Sequence, residues 1–104
     1  PVWLAPVPVK ILPLLDKHCE YADQIAEKLR EQDVDVEIDN RNEKIGYRIR
    51  EAQLEKIPYM LVIGDKELEK GEVAVRSRKD GDLGTMPVGD FIAKITEEIR
   101  TRAK

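Results

Sequence analysis

The chain has 104 residues and a formal net charge of −3, from 18 basic and 21 acidic side chains. This length fits one domain and is too short for a catalytic domain with its own substrate domain. A protein that coats duplex nucleic acid by bulk charge is strongly basic, so that class is excluded and any contact with nucleic acid has to be local. Aromatic residues make up only 5% of the chain, which predicts an aliphatic core.

The single cysteine excludes a disulfide framework. Together with the lack of a signal-type N-terminus, it favours a cytosolic setting. The longest apolar stretch, around residues 60–63, is far shorter than the roughly 20 residues of a membrane span.

Strands and helices alternate in the first half of the chain. Residues 7–14 form a β-branched run bracketed by prolines, which predicts a strand. Apolar residues at helical spacing predict an amphipathic helix over 20–32, and strict alternation predicts a half-buried strand over 34–38. A second helix is predicted over 43–56, where Pro58 stops it.

The second half begins with a continuously apolar run over 59–63, which predicts a strand buried on both faces. Residues 64–71 predict a charged loop. The strand predicted over 73–76 must run antiparallel to the previous one, because the connection is too short for a crossover helix. Residues 81–86 predict a bent edge strand or a loop, and the last helix is predicted from 88 or 90 to 102.

This element order, βαβαββα with a possible further strand before the last helix, predicts an α/β fold. We expect a mixed four- to five-stranded sheet flanked by three helices. Residues 1–104 are expected to form one domain, with 1–6 as the entry from a preceding domain.

Residues suited to nucleophilic catalysis are scarce. His18 and Cys19 are the only histidine and cysteine. Sequence neighbours at a helix start rarely converge as nucleophile and base, so surface or capping roles are predicted for both. The chain contains no CxxC motif and neither of the glycine motifs that cradle phosphates.

A metal site is not indicated either. The acidic candidates Asp39, Glu43, Asp80 and Asp82 are dispersed among basic residues, which favours salt bridges and turns. We therefore expect no catalysis within this chain.

Two segments stand out as candidate binding surfaces. Residues 39–50 carry four basic and two acidic side chains, and Gly46 falls inside a predicted helix at a cost of about 1 kcal/mol relative to alanine. A close approach by another chain or backbone would explain that glycine. The other segment is the 64–71 loop with the strand that follows it, up to residue 78.

Both loops follow strands predicted to be parallel, so both are expected at the carboxyl edge of the sheet, where open α/β sheets bind ligands. The alternative interpretation, which the pattern alone favours, is a solvated charged surface with a glycine-punctuated hairpin.

Several blocks resemble the C-terminal domain of bacterial threonyl-tRNA synthetases. The most specific are Arg-Asn-Glu-Lys-Ile-Gly at 41–46, Pro-Tyr-Met-Leu-Val at 58–62 and Gly-Asp-Lys-Glu at 64–67. Weaker matches at 3–6, 48–51 and 73–76 extend the resemblance in order over essentially the whole chain. Related class II synthetases for proline, histidine and glycine share the fold more loosely. Pro8 and Asn40 depart from the family pattern, outside the motifs that matter for RNA.

The resemblance implies an anticodon-binding domain carried by a longer, cytosolic, homodimeric class II aminoacyl-tRNA synthetase. Such an enzyme joins threonine to its tRNA. It implies ATP, Mg and Zn for the parent enzyme and no cofactor in this domain. The implied partner is the anticodon loop of threonine tRNA, with no membrane contact, and the isolated domain is expected to be monomeric.

The resemblance also implies which residues meet the anticodon. Glu67 and Arg76 match the residues expected to face its second and third bases, G and U, and Asn42 matches a third polar reader. Arginine donates to the carbonyl edges of these bases and glutamate accepts from their N–H groups. Four basic residues are expected to contact phosphates or the rest of the loop: Lys44, Arg50, Lys66 and Arg78.

Arg41 is a further candidate for the same backbone contacts. Tyr47 lies at helical spacing between Ile45 and Ile49, which favours packing over stacking on a base. The alternative functions are a stand-alone α/β interaction module, or a paralogue without a tRNA-charging role. A degenerate redox or response-regulator fold would have to rely on Cys19 or Asp16.

Overall fold

The computed structural model describes residues 8–40, 43–78 and 81–101, the last three by their backbone alone. The expected entry segment 1–6 and the candidates Arg41, Asn42 and Asp80 lie outside the described residues.

The described residues form one mixed five-stranded sheet in the spatial order β2-β1-β3-β4-β5. The first three strands are parallel, whereas β4 is antiparallel to β3 and β5 is antiparallel to β4. The prediction of a mixed α/β sheet is confirmed, and residues 81–86 belong to an edge strand. The strand bounds are β1 Val9–Pro13, β2 Val36–Ile38, β3 Tyr59–Ile63, β4 Glu72–Ser77 and β5 Gly81–Pro87.

Four helices flank the sheet where three were expected. A single 3-10 turn, Asp16–His18, precedes the first of them. The helix bounds are α1 Cys19–Glu31, α2 Ile45–Leu54, α3 Asp65–Lys70 and α4 Val88–Thr101.

The additional helix, α3, lies where the sequence predicted a charged loop. It buries none of its side chains, so it has no apolar periodicity from which a helix can be predicted. The caps at the two ends of α3 account for the helix instead. The Glu67 side chain accepts a hydrogen bond from the Gly64 N–H at 2.7 Å, and Gly71 ends the helix in the left-handed conformation at φ 69°.

One face of the sheet is covered by α1 and α4. Alternate residues of the strands, such as Ile11, Leu61 and Val75, point to this side and pack with Ile25 of α1 and Phe91 of α4, all fully buried. This is the larger of the two cores.

The other face is covered by α2 over β1 and β3 only. Its smaller core consists of Leu12, Ala52, Ile57 and Met60, and among the described residues it includes none from β4 or β5. Lys10 is buried on the same side, where its Nζ lies 2.7 Å from a Glu55 carboxylate oxygen. The part of this face formed by β4 and β5 is called the open face from here on, because the smaller core of the described residues does not extend onto it.

Candidate nucleic-acid interface

The described candidate residues lie at different positions along the strands of the sheet. Lys44 precedes α2 and follows β2, while Lys66 and Glu67 lie on α3 and follow β3. Because β2 and β3 are both parallel to β1, these residues share the carboxyl edge of the sheet, as the sequence predicted.

Arg76 and Arg78 lie farther back, because β4 runs antiparallel to β3. Arg76 pairs with Met60, three residues before the end of β3, which places it about 10 Å from the carboxyl edge. The Arg78 N–H donates to the Pro58 carbonyl at 2.8 Å, at the opposite edge. The two loops therefore lie at one edge of the sheet, as predicted, whereas these two arginines lie away from it.

Arg76 is the most informative of the candidates. It lies half-buried on the open face, since its neighbours Val75 and Ser77 are buried on the opposite side of β4. Its Nε is buried and has no hydrogen-bond partner among the described residues. Asp82, directly across on β5, uses its carboxylate to accept from the Gly84 N–H at 2.8 Å. A guanidinium N–H is thus left without an acceptor among the described residues, as is the Nε–H of buried Arg48.

Arg50 marks an exposed flank of α2, on the side away from buried Arg48. Buried Arg48 fixes the rotation of this helix, because its Nη1 donates to the carbonyls of Pro13 and Asp39, both at 2.8 Å, on the side of β1 and β2. Arg50 lies about 160° around the helix from Arg48 and is exposed.

Gly46 belongs to the same flank. A Cβ built on it would meet no described atom within 4 Å, so packing within the described chain does not require glycine there. Gly46 and Arg50 thus lie on one exposed flank of α2, where a ligand backbone has room to approach.

Glu67 has a structural role that the sequence did not reveal. Its Oε1 accepts the Gly64 N–H and so caps α3. A carboxylate has further lone pairs, so this bond leaves it able to accept from a base N–H. Burial together with the negative charges of Glu67 and Glu72 raises the pKa of Tyr21, whose hydroxyl donates to the Glu72 carbonyl at 2.9 Å.

Tyr47 does not pack as the sequence favoured. Its side chain is 50% exposed, whereas Ile45 and Ile49 pack against the smaller core. Two residues turn a helix by about 200°, so Tyr47 lies on the opposite side of α2 from Ile45 and Ile49.

Sequence reasoning missed the roles of two buried residues. Arg48 links the end of β1 to the residue that follows β2, whereas the sequence indicates only one charge in a basic segment. His18 is 1% exposed and hydrogen-bonds Asp65 at 2.8 Å, across 47 residues of chain. Its predicted capping role is found, since its Nδ1 accepts the Leu15 N–H at 3.1 Å, but it lies in the interior. In the sequence, the only indication of a special role for His18 is that it is the sole histidine.

A shallow cavity of about 130 Å³ opens at the carboxyl edge next to the 3-10 turn. Its lining is Pro13, Leu14, Leu15, Asp16, Cys19, Asn40 and Glu43. Within the described ranges, no group of three or more histidine, cysteine or acidic side chains is placed to hold a metal ion. No described helix is both long and apolar enough to cross a membrane.

The chain is similar to known domains over almost its whole length. A family model described as an anticodon binding domain matches residues 8–98. The threonine–tRNA ligase of Caldanaerobacter subterraneus subsp. tengcongensis is 61% identical over 103 residues, and that of Acetivibrio thermocellus is 63% identical over 102. These matches cover 99% and 98% of this chain and 16% of each relative, so the chain spans about a sixth of their length.

Solved structures give the same result. The RNA binding domain of threonyl-tRNA synthetase from Cryptosporidium parvum Iowa II is 31% identical, with a TM-score of 0.86 over 93% of this chain and 24% of that one. Prolyl-tRNA synthetase from Cryptosporidium parvum shares the fold at 24% identity, with a TM-score of 0.86 over 98% of this chain and 23% of that one. The resemblance to threonyl-tRNA synthetases is confirmed, and the chain belongs to the anticodon-binding domain family.

Proposed function

We propose that this chain recognises the anticodon loop of threonine tRNA on behalf of a longer threonine–tRNA ligase. The observation that supports this most directly is the unpartnered Arg76 Nε on the open face, in a chain of this family. A buried donor without an acceptor costs free energy, and an incoming base edge would remove that cost.

The open face around Arg76 is the proposed location of the splayed-out bases. Arg76 donates to a carbonyl edge of a base, and the space beside Gly46 admits the RNA backbone near Arg50. Sequence-specific RNA recognition usually works in this way, with unstacked bases read on their edges.

The carboxyl edge supplies the remaining proposed contacts. Glu67 accepts from a base N–H, Asn42 serves as a third reader, and Lys44 and Lys66 contact phosphate or ribose. Arg78 is proposed as a phosphate contact at the far edge, which requires the RNA to extend along all five residues of β3, about 17 Å.

The parent enzyme is proposed to act in the cytoplasm as a homodimer that uses ATP with Mg and Zn, at sites outside this chain. These properties rest on similarity to full-length ligases of which this chain spans 16%. We expect the 104-residue chain alone to be monomeric and to form no threonyl-adenylate.

The test is binding of a threonine-type anticodon stem-loop and of loops with single base swaps. Arg76→Ala should reduce the preference for the cognate loop by about 1–3 kcal/mol, because an edge contact carries sequence information. Lys44→Ala should weaken all loops alike and lower the salt dependence, because a phosphate contact carries none.

Lys28→Ala, an exposed change of the same charge on α1, is the matched control and should change neither quantity. Retention of full discrimination by Arg76→Ala would show that the reading site is elsewhere. Equal binding of cognate and scrambled loops by the unmodified chain would instead favour a general interaction module.

A further inference from the structure

Among the groups that the proposed reading contacts do not use, the hydrogen bonds of His18 are the most specific. The Leu15 N–H donates to Nδ1 at 3.1 Å, so that nitrogen carries no proton when the bond forms. The proton of the neutral ring therefore sits on Nε2, which donates to Asp65 Oδ1 at 2.8 Å. The ring is 1% exposed, whereas the Asp65 side chain that it meets is 67% exposed.

Asp65 is the first residue of α3, the helix that carries Lys66 and Glu67. With six residues and no buried side chain, α3 is too short and too polar to hold its own position. Lys17 contacts the same Asp65 oxygen at 3.0 Å, but both of those side chains are exposed, and such pairs contribute little. His18 is the buried partner that ties α3 to the rest of the domain.

Packing at the same place is close. A Cβ on Gly64 would come within 2.9 Å of Leu14 Cδ1 and 3.0 Å of Glu67 Oε1. The segment that leads from β1 to His18 therefore lies directly against the start of α3, and a shift of either displaces the Glu67 carboxylate.

We propose that His18 is a positioning residue for anticodon reading, acting through Asp65 on the placement of Glu67. This role rests on the proposed function, since it assigns His18 a part in the same recognition. It predicts that the bond to Asp65, rather than the bond to Leu15, determines discrimination at the base that Glu67 faces.

Two substitutions separate these bonds. His18→Asn keeps an acceptor near the position of Nδ1 but cannot reach Asp65, while His18→Gln keeps a donor near the position of Nε2. His18→Asn should lower discrimination at the Glu67 base about 3- to 10-fold, in the range found for residues coupled through one hydrogen-bond network. His18→Gln should retain it, and Asp65→Ala, a surface change, should reproduce the loss.

The same comparison in a Glu67→Ala background shows whether Glu67 transmits the effect. There, His18→Asn should cause no further loss of discrimination. Equal losses in His18→Asn and His18→Gln, or an additional loss in the Glu67→Ala background, would overturn the positioning role.

Hydrogen exchange supplies a readout that does not depend on RNA. The Leu68 amide, bonded to the Gly64 carbonyl at 3.0 Å, should exchange faster in His18→Asn than in His18→Gln, while α1 amides exchange alike. Uniformly faster exchange would mean a general loss of stability and would count against the proposal. If the unmodified chain shows no preference for cognate loops, the proposed function fails and the reading role of His18 fails with it, whatever the exchange rates.

Discussion

The two faces of the sheet differ in how completely helices cover them. On the α1 and α4 side, fully buried residues such as Ile11, Leu61 and Phe91 form one continuous core. On the other side, α2 covers β1 and β3 and leaves the open face to Arg76. The larger core, which stabilises the fold by burial, therefore lies on the face covered by α1 and α4. The unpartnered Arg76 Nε lies on the other face.

The polar groups on the two sides of α2 show the same division. Under the helix, the Lys10 ammonium is buried but meets Glu55 and Glu37 at 2.7 and 3.5 Å. Burial lowers the pKa of Lys10, yet its hydrogen bond to Glu55 and the nearby carboxylates outweigh burial, and the pKa lies above its ordinary value. On the open face the Arg76 Nε has no such partner. Lys10 is therefore satisfied within the protein, whereas the Arg76 Nε is available to a ligand. The Nε of buried Arg48 also lacks a partner among the described residues, although the Nη1 of the same guanidinium donates to two carbonyls.

The largest effect is expected on the face of the sheet that α1 and α4 cover. Phe91→Ala should lower the free energy of unfolding by about 3–5 kcal/mol, because it removes a fully buried ring that packs edge-on against Tyr59 at 5.6 Å. Leu54→Ala on α2, where the side chain is 75% exposed, is the control and should change it by less than about 0.5 kcal/mol. Urea denaturation measures both, and similar losses would refute the division between the faces.

Glu67 tests whether capping and reading can be separated. Glu67→Gln keeps an acceptor for the Gly64 N–H and removes the charge, whereas Glu67→Ala removes both. We expect both variants to lose discrimination by about 1–3 kcal/mol, and only Glu67→Ala to lose about 1 kcal/mol of stability with the cap. Binding of base-swapped loops together with urea denaturation gives the two quantities. Full discrimination in Glu67→Gln would restrict Glu67 to a capping role.

Substitution of Arg76 tests whether a side chain that promotes binding lowers the stability of the free domain. Arg76→Met keeps an unbranched side chain but removes the buried donor that has no acceptor. We expect the free energy of unfolding to stay constant or rise by up to about 1 kcal/mol, while base discrimination falls. Arg48→Met is the contrasting variant, since it removes bonds to two carbonyls and should destabilise the domain. A clear destabilisation by Arg76→Met would mean that this side chain is satisfied in the free protein.

The smallest effect concerns acid stability at the carboxyl edge. The hydrogen bond from His18, followed by that from Lys17, lowers the pKa of Asp65 below its ordinary value. A carboxylate with a lowered pKa in the folded state adds stability above its unfolded pKa, near 4, and that stability is lost as the pH falls through the folded value.

The stability difference between the unmodified chain and Asp65→Asn should therefore shrink as the pH falls from about 5 to 2. Urea denaturation across this range measures it, with Asp23→Asn on the exposed surface of α1 as a charge-matched control. A difference that does not depend on pH would show that the Asp65 interactions do not distinguish its two protonation states.

The sequence by itself determined most of the sheet and three of its helices. The alternation of Val73 and Val75 with their neighbours, and the apolar run at 59–63, reflect local burial patterns that one strand carries alone. The short connection between β3 and β4 likewise required an antiparallel pair. The blocks at 41–46, 58–62 and 64–67 indicated the family because each is an uninterrupted run of residues that can be compared without knowing the fold.

The tertiary structure alone decided which polar side chains are satisfied. The helix α3 depends on its end caps, and the burial of His18 and Arg48 depends on Asp65, Pro13 and Asp39, which lie 9 to 47 residues away in sequence. The separation of Arg76 from the carboxyl edge follows from its register with Met60. Charge and spacing in one segment hold no information about acceptors on another element, since a hydrogen bond forms only where packing brings donor and acceptor within about 3 Å.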